Sequence, residues 1–218
     1  LPVFDEVVRV ESATVAELVK ILENTFRTVN IGLVNELAML ADILGIDIWE
    51  TIEAASTKPF GYMPFYPGPG LGGHCIPIDP LYLSWKAEQH GTDIKFIQLA
   101  NRINRGMPQH VTERIIDLLG DRSIPVFESD VLVLGVSYKR DTSDTRESPA
   151  FDVISFLEDR GATVSYHDPH VPTITIEGKE YETQELTAEA LQSKDCVVLL
   201  TDHSAFEYEF IAEHSNQI

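Results

Sequence analysis

The chain has 218 residues, and 16 Lys and Arg against 35 Asp and Glu give a formal charge of −19, which excludes a general nucleic-acid binder, since phosphate backbones are gripped by clustered basic side chains. With 44% apolar and 23% charged residues the composition is that of an ordinary globular protein, long enough for one large domain or two small ones of about 100–150 residues. Two cysteines cannot form a disulfide framework, which suits a reducing compartment such as the cytoplasm, and no apolar run of about 18 residues is present to span a membrane. The start, Leu1-Pro2-Val3-Phe4-Asp5, is neither a signal peptide nor an initiator sequence. It reads as a chain entered midway.

Leu18, Leu22, Phe26, Val29, Leu33, Leu37, Leu40 and Leu44 recur at spacings of three and four, which predicts one long α-helix with an apolar stripe. Ser12 or Thr14 is placed to cap its start and Gly45 to end it. Such a helix spans roughly 45 Å. Its stripe either forms a homodimer seam or packs against the chain's own helices. Asp47 caps a second helix through Ala55. Residues 58–80 are rich in Gly, Pro and aromatics. Asp79 and Pro80 then have the form of an N-cap and first helical residue, starting a helix through Gln89. Further helices are expected over 95–104 and 108–119, and 120–129 has the composition of a linker. From there the period changes. Apolar runs 131–136, 163–166 and 196–200 alternate with helical patterns 150–160 and 187–192, the arrangement of a parallel, doubly wound sheet. The fold class is therefore α/β: a helical half carrying one long helix, followed by a small Rossmann-like half.

Three segments could carry chemistry. In Pro67-Gly68-Pro69-Gly70-Leu71-Gly72-Gly73-His74-Cys75-Ile76-Pro77-Ile78-Asp79-Pro80, four glycines within six positions let backbone approach a ligand and expose N–H groups. The cysteine follows at once, near a helix start, where the thiolate is favoured. A proline-rich surface loop with an inert thiol is the plain alternative. The glycines, cysteine and carboxylate together favour a site. Cys196, within Asp195-Cys196-Val197-Val198-Leu199-Leu200, is by contrast a small core residue. Lys20, Asn24 and Arg27 share one face of the long helix, which alone is no more than a polar surface. Finally, Lys139, Arg140 and Arg146 cluster in a loop between a buried strand and a helix, the crevice where open α/β sheets bind ligands. They suit a diphosphate, or else a salt-bridged loop with Asp141, Asp144 and Glu147. No GxGxxG follows this strand. His74 and Cys75 are adjacent, so their side chains are expected to diverge rather than pair, and no metal-ligand spacing is evident.

Lys20-Ile21-Leu22-Glu23-Asn24-Thr25-Phe26-Arg27 with Asn35-Glu36-Leu37-Ala38, the Gly-Pro loop through Cys75 and Asp79, and Gly135 to Pro149 resemble, in order, the motifs of the UDP-glucose/GDP-mannose dehydrogenases. These NAD-dependent enzymes oxidise C6 of a nucleotide sugar from alcohol to acid. The resemblance implies a central helical domain and a C-terminal UDP-binding domain, without the N-terminal NAD domain. Residues 1–11 would be a remnant of that first domain, 12–105 the central catalytic and dimerisation domain, 106–129 a connecting helix and linker, and 130–218 the UDP-binding domain, with Gln217-Ile218 short of the family's usual finish. Cys75 would be the nucleophile, Lys20 and Asn24 the oxyanion contacts, and Asp79 the partner of the hydrolytic water. Arg27, Gly70, Gly72, Gly73, Tyr138 and Lys139 would hold the UDP-sugar, and Arg146 would reach NAD. No metal, nucleic acid or membrane is implied. Ile78 stands where UDP-glucose enzymes usually carry lysine, and Pro-Gly-Pro-Gly-Leu-Gly-Gly-His-Cys looks more like members acting on UDP-N-acetylglucosamine or UDP-N-acetylmannosamine. The other readings are a UDP-glucose enzyme, a binding and dimerisation module without chemistry, or a cysteine hydrolase, which would need a Cys–His pair.

Overall fold

The computed structural model describes residues 6–216. The start and finish singled out above, Leu1–Asp5 and Gln217-Ile218, lie outside the described residues. In the helical half, α1 (Ala13–Leu44) begins where the Ser12 side chain accepts the Val15 N–H and ends at Gly45, whose φ of 66° is left-handed. The apolar stripe faces outward. Leu18, Leu22, Phe26, Leu33, Leu37, Leu40 and Leu44 are all exposed, whereas Asn24, Thr28, Gly32, Val34, Asn35 and Ala41 point into the fold. The stripe therefore does not pack against the chain's own helices. Its opposite, more polar face does, and Gly32 makes that possible, because a β-carbon there would stand 3.2 Å from the Ala100 Cβ.

Asp47 caps α2 (Ile48–Ser56) as expected, accepting the Trp49 and Glu50 N–H groups. The next helix corrects the sequence reading. α3 runs over Cys75–Gln89 with Pro80 inside it, so Asp79 is not its cap. Proline inside a helix leaves the carbonyl four residues back without its donor. Here that carbonyl is Ile76 O, and the Thr28 hydroxyl donates to it at 3.0 Å. Likewise, the two helices expected at 95–104 and 108–119 are a single α4, Lys95–Asp121, which passes through Pro108 without a break and crosses the 105/106 boundary.

The second half is a parallel sheet in the order β2-β1-β5, with β1 at Asp130–Leu134, β2 at Thr163–His167 and β5 at Cys196–Leu199. Successive β1 side chains face opposite ways. Val131 and Val133 pack with α5 (Pro149–Glu158) and with Ile115 and Leu119 of α4. Leu132 and Leu134 pack with Leu191 of α6 (Ala188–Gln192) and Ile211 of α7 (Tyr208–His214). Both sheet faces are thus covered, as parallel strands require. One hairpin was not anticipated: β3 (Thr173–Ile176) and β4 (Lys179–Glu182) pair antiparallel across Glu177 and Gly178, both at positive φ, which is the geometry of a two-residue hairpin turn.

Candidate functional site

Residues 135–148 link the carboxyl end of β1 to α5. Gly135 turns the chain at φ 80°, pressed so closely on the neighbouring segment that a β-carbon would stand 2.3 Å from Thr201 O. The loop then meets the Gly-Pro loop of the helical half. Gly72 is bare because Tyr138 lies on it: an added β-carbon would be 2.6 Å from the Tyr138 Cβ and 2.8 Å from Glu147 O. At Gly73, whose φ of 80° is left-handed, it would be 2.9 Å from the Tyr138 ring. The Gly73 N–H donates to Arg146 O at 2.8 Å.

These contacts close a cleft of about 270 Å³. Lys20, Asn24 and Arg27 line it from α1, Gly72, Gly73, His74, Cys75 and Ile76 from the loop and the start of α3, and Tyr138 and Arg146 from the second half. Cys75 is the first residue of α3 and is exposed. Asp79, one turn further on, touches the cleft through Asn24, whose Nδ2 donates to its Oδ2 at 2.8 Å. Lys139 does not line the cleft; it is exposed, its Nζ 5.8 Å from the Tyr138 ring centroid. The Arg146 side chain is 69% exposed and forked on Asp144, with Nη2 to Oδ2 at 2.6 Å. Gly70 is elsewhere. It lines a separate cavity of about 350 Å³ behind the loop, with Asn101, Arg105 and Asp152.

Two expectations need correcting. Two of the four glycine amides are not available to a ligand, since the Gly73 N–H is engaged by Arg146 O and the Gly68 N–H donates to Asn35 Oδ1 at 2.9 Å. His74 and Cys75 do not diverge either: a ligand atom from each, with one from Asp79, lies within 4.8 Å of the others. A second such group is Asp141, His170 and His203.

The residues that hold the loop in place were not foreseen. Asn35 is fully buried, and its amide donates to Asn104 Oδ1 at 2.9 Å. Asn104 in turn donates to Thr28 O at 3.1 Å, and Thr28 reaches the start of α3 through Ile76 O. This buried chain ties α1, α4, the Gly-Pro loop and the start of α3 together. Its sequence signal was the spacing of Asn24, Thr28 and Asn35, four and seven residues apart on one helical face.

The cysteines differ as their surroundings require. Burial pushes the Cys196 thiol up to about 11, so it stays protonated at pH 8, whereas Cys75 is exposed. Iodoacetamide at pH 8 is expected to label one thiol of the folded chain, Cys75, and both after denaturation; peptide mass spectrometry checks this. The Asp144 carboxyl is held down at about 2, chiefly by its side-chain hydrogen bonds from Arg146. The Arg146 fork therefore stays ion-paired throughout the neutral range.

Two family models match the chain. The UDP-glucose/GDP-mannose dehydrogenase family central domain covers residues 14–106, and that family's UDP binding domain covers residues 132–217. A UDP-N-acetyl-D-mannosamine dehydrogenase of Methanococcus maripaludis is 38% identical over 198 residues, 91% of this chain and 43% of that protein. An NDP-N-acetyl-D-galactosaminuronic acid dehydrogenase of Ralstonia solanacearum is 36% identical over 201 residues, covering 90% and 45%. The solved UDP-D-ManNAc dehydrogenase of Pyrococcus horikoshii superposes with a TM-score of 0.81 at 35% identity, over 94% of this chain and 47% of that one. The chain thus spans less than half the length of these relatives.

Proposed function

Because the chain belongs to the UDP-glucose/GDP-mannose dehydrogenase family, we propose that it carries the thiol and sugar-nucleotide half of an enzyme oxidising C6 of a UDP-N-acetylhexosamine, UDP-N-acetylmannosamine or UDP-N-acetylglucosamine, to the uronic acid. The observation that carries this is the cleft in which exposed Cys75 shares walls with Lys20, Asn24, Arg27 and Tyr138. The acetylated sugar is supported by the names of the relatives and by Ile78 in place of a lysine. UDP-glucose is the runner-up.

Cys75 adds its thiolate to the C6 aldehyde left by the first oxidation, forming a thiohemiacetal. Removal of the C6 hydrogen as hydride in the second oxidation leaves a thioester, and water cleaves it to the carboxylate and the free thiol. Holding the aldehyde covalently divides a difficult oxidation and prevents its escape. The Lys20 charge and the Asn24 N–H not spent on Asp79 face the developing oxyanion. Asp79, which accepts from Asn24 through Oδ2 and has no partner at its other oxygen among the described residues, orients the hydrolytic water. Arg27 and Lys139 supply charge for the diphosphate, and the Tyr138 ring lies against the glycine loop at the junction of the two halves. Each of the two oxidations would need its own NAD, bound in succession, to accept one hydride. Among the described residues the expected contact to it is Arg146 alone, exposed and already paired with Asp144, and loop 135–148 lacks the three-glycine turn of a dinucleotide site.

Calorimetry of the chain with UDP, together with ¹³C NMR of a UDP-N-acetylhexosamine 6-aldehyde labelled at C6, tests the proposal. The expected result is UDP binding, a thiohemiacetal carbon signal, and no NADH from the chain with NAD and the parent sugar nucleotide. UDP binding without capture would leave only a binding module, and lack of UDP binding would overturn the reading.

The outward stripe of α1 supports a homodimer through that helix. Light scattering of the chain is expected to give twice the 24.4 kDa chain mass, and Leu33→Glu with Leu37→Glu to give the single chain. No described helix is long and apolar enough to cross a membrane, and two free thiols fit a reducing cytoplasm.

A further inference from the structure

His203 and Asp168 take no part in the cleft, yet both are buried, at 0% and 2% exposure. They come from distant parts of the second half, Asp168 just after β2 and His203 between β5 and α7. One Asp168 oxygen, Oδ2, accepts the backbone N–H groups of Val136 and Ser137 at 2.8 and 3.1 Å. The same oxygen lies 3.1 Å from His203 Nε2. At its other nitrogen, Nδ1, the ring accepts the Asp141 N–H at 3.0 Å. A backbone N–H only donates, so the ring proton resides on Nε2, between Asp168 Oδ2 at 3.1 Å and the Ser137 hydroxyl oxygen at 3.2 Å, both of which can accept it. The Thr201 hydroxyl donates to Ser137 O at 2.7 Å, and the Ser137 hydroxyl donates to Lys139 O at 2.9 Å. Apart from the His203–Asp168 link itself, every one of these bonds lands on the stretch that carries Tyr138 and Lys139. The same accounting argues against a metal at Asp141, His170 and His203, since the Nδ1 lone pair is already used.

We infer that Asp168 and His203 are positioning residues: a buried carboxylate–imidazole clamp that grips residues 136–141 at both ends and fixes the angle at which Tyr138 and Lys139 meet the sugar nucleotide. The inference rests on the reading of the cleft as a UDP-sugar site. Leaving a buried carboxylate or backbone N–H without its partner is costly, so loss of the ring should loosen the loop before it affects the sheet.

The test combines amide hydrogen exchange of the unliganded 218-residue chain with UDP calorimetry on His203→Ala, His203→Gln and His203→Asn. In His203→Ala the Asp141 and Ser137 amides are expected to exchange at least tenfold faster, with Leu132 and Val133 of β1 unchanged, and UDP to bind about tenfold more weakly. A purely structural role would instead speed exchange across β1 and lower the melting temperature without singling out the loop. Glutamine, which can place an N–H near Nε2, should restore Ser137 but not Asp141; asparagine, which can place an acceptor near Nδ1, should do the reverse. Should the alanine variant fail to fold, the other two decide. Wild-type exchange at 136–141 in the variants that fold would overturn the clamp, whatever UDP does. Failure of the wild-type chain to bind UDP would overturn the substrate reading and, with it, the positioning role, while the exchange data still report whether the clamp itself exists.

Discussion

Replacing Cys75 with alanine is expected to abolish capture of the 6-aldehyde while leaving UDP affinity within about twofold. The thiol is exposed at the start of α3 and forms no hydrogen bond that alanine would break among the described residues, so the variant should fold and melt as the wild type does. In a protein that joins this chain to a nicotinamide-binding part, acid formation should fall by at least about a thousandfold, equivalent to ~4 kcal/mol of barrier. Lys20→Met should preserve aldehyde binding but slow thiohemiacetal formation by about 10²–10³, the usual loss for one oxyanion contact. ¹³C NMR and stopped-flow absorbance distinguish the two variants. A thiohemiacetal signal persisting in Cys75→Ala would move the chemistry to another group and sink the assignment.

Gly135→Ala is expected to be the most damaging single methyl in the chain. Its β-carbon would stand 2.3 Å from Thr201 O and 2.7 Å from Thr201 Cβ, at a φ of 80°. Backbone strain and forced displacement of a buried neighbour each cost about 1–3 kcal/mol, so a loss of about 2–6 kcal/mol is expected. Gly45→Ala is the matched control. It also has a positive φ, 66°, but nothing lies within 4 Å, so it should cost only about 1 kcal/mol. Urea denaturation of both variants checks the difference. Equal midpoints would show that conformation alone, without the Thr201 contact, sets the cost.

Much of this fold was legible because its signals are local. Ser12 and Gly45 bracket α1, Gly135 and Gly161 flank the apolar runs of β1 and β2, and β5 is marked by its apolar run alone. The failures came where a distant group replaced a missing local one. Pro80 and Pro108 read as helix boundaries, yet both lie inside helices. For Pro80 the reason is visible: Thr28, 48 positions from Ile76, satisfies the carbonyl left without its donor. The β3–β4 hairpin was hidden by charge. Ile174, Ile176 and Tyr181 are buried while Lys179, Glu180 and Glu182 between and beside them are exposed, so a strand only four residues long presents too few apolar positions to stand out. In the site, Cys75, Lys20, Asn24 and Arg27 were found from motif and helical spacing. Asn104, His203 and Asp168 were not, because a buried polar residue declares itself only once its partner across the fold is known.

The unbroken course of α4 ties the two halves by more than their contact at the cleft. Ile97 and Ala100 at its beginning are buried in the helical half, and Ile115 and Leu119 near its end are buried in the sheet core. The two bodies are mounted on a common axle. One residue inserted near its solvent-facing middle would advance everything downstream by about 1.5 Å and swing it through about 100°. Tyr138 would leave its seat on Gly72, although every side chain of the cleft would still be present. The register of this helix, rather than any residue lining the cleft, sets the phase between Cys75 and Tyr138.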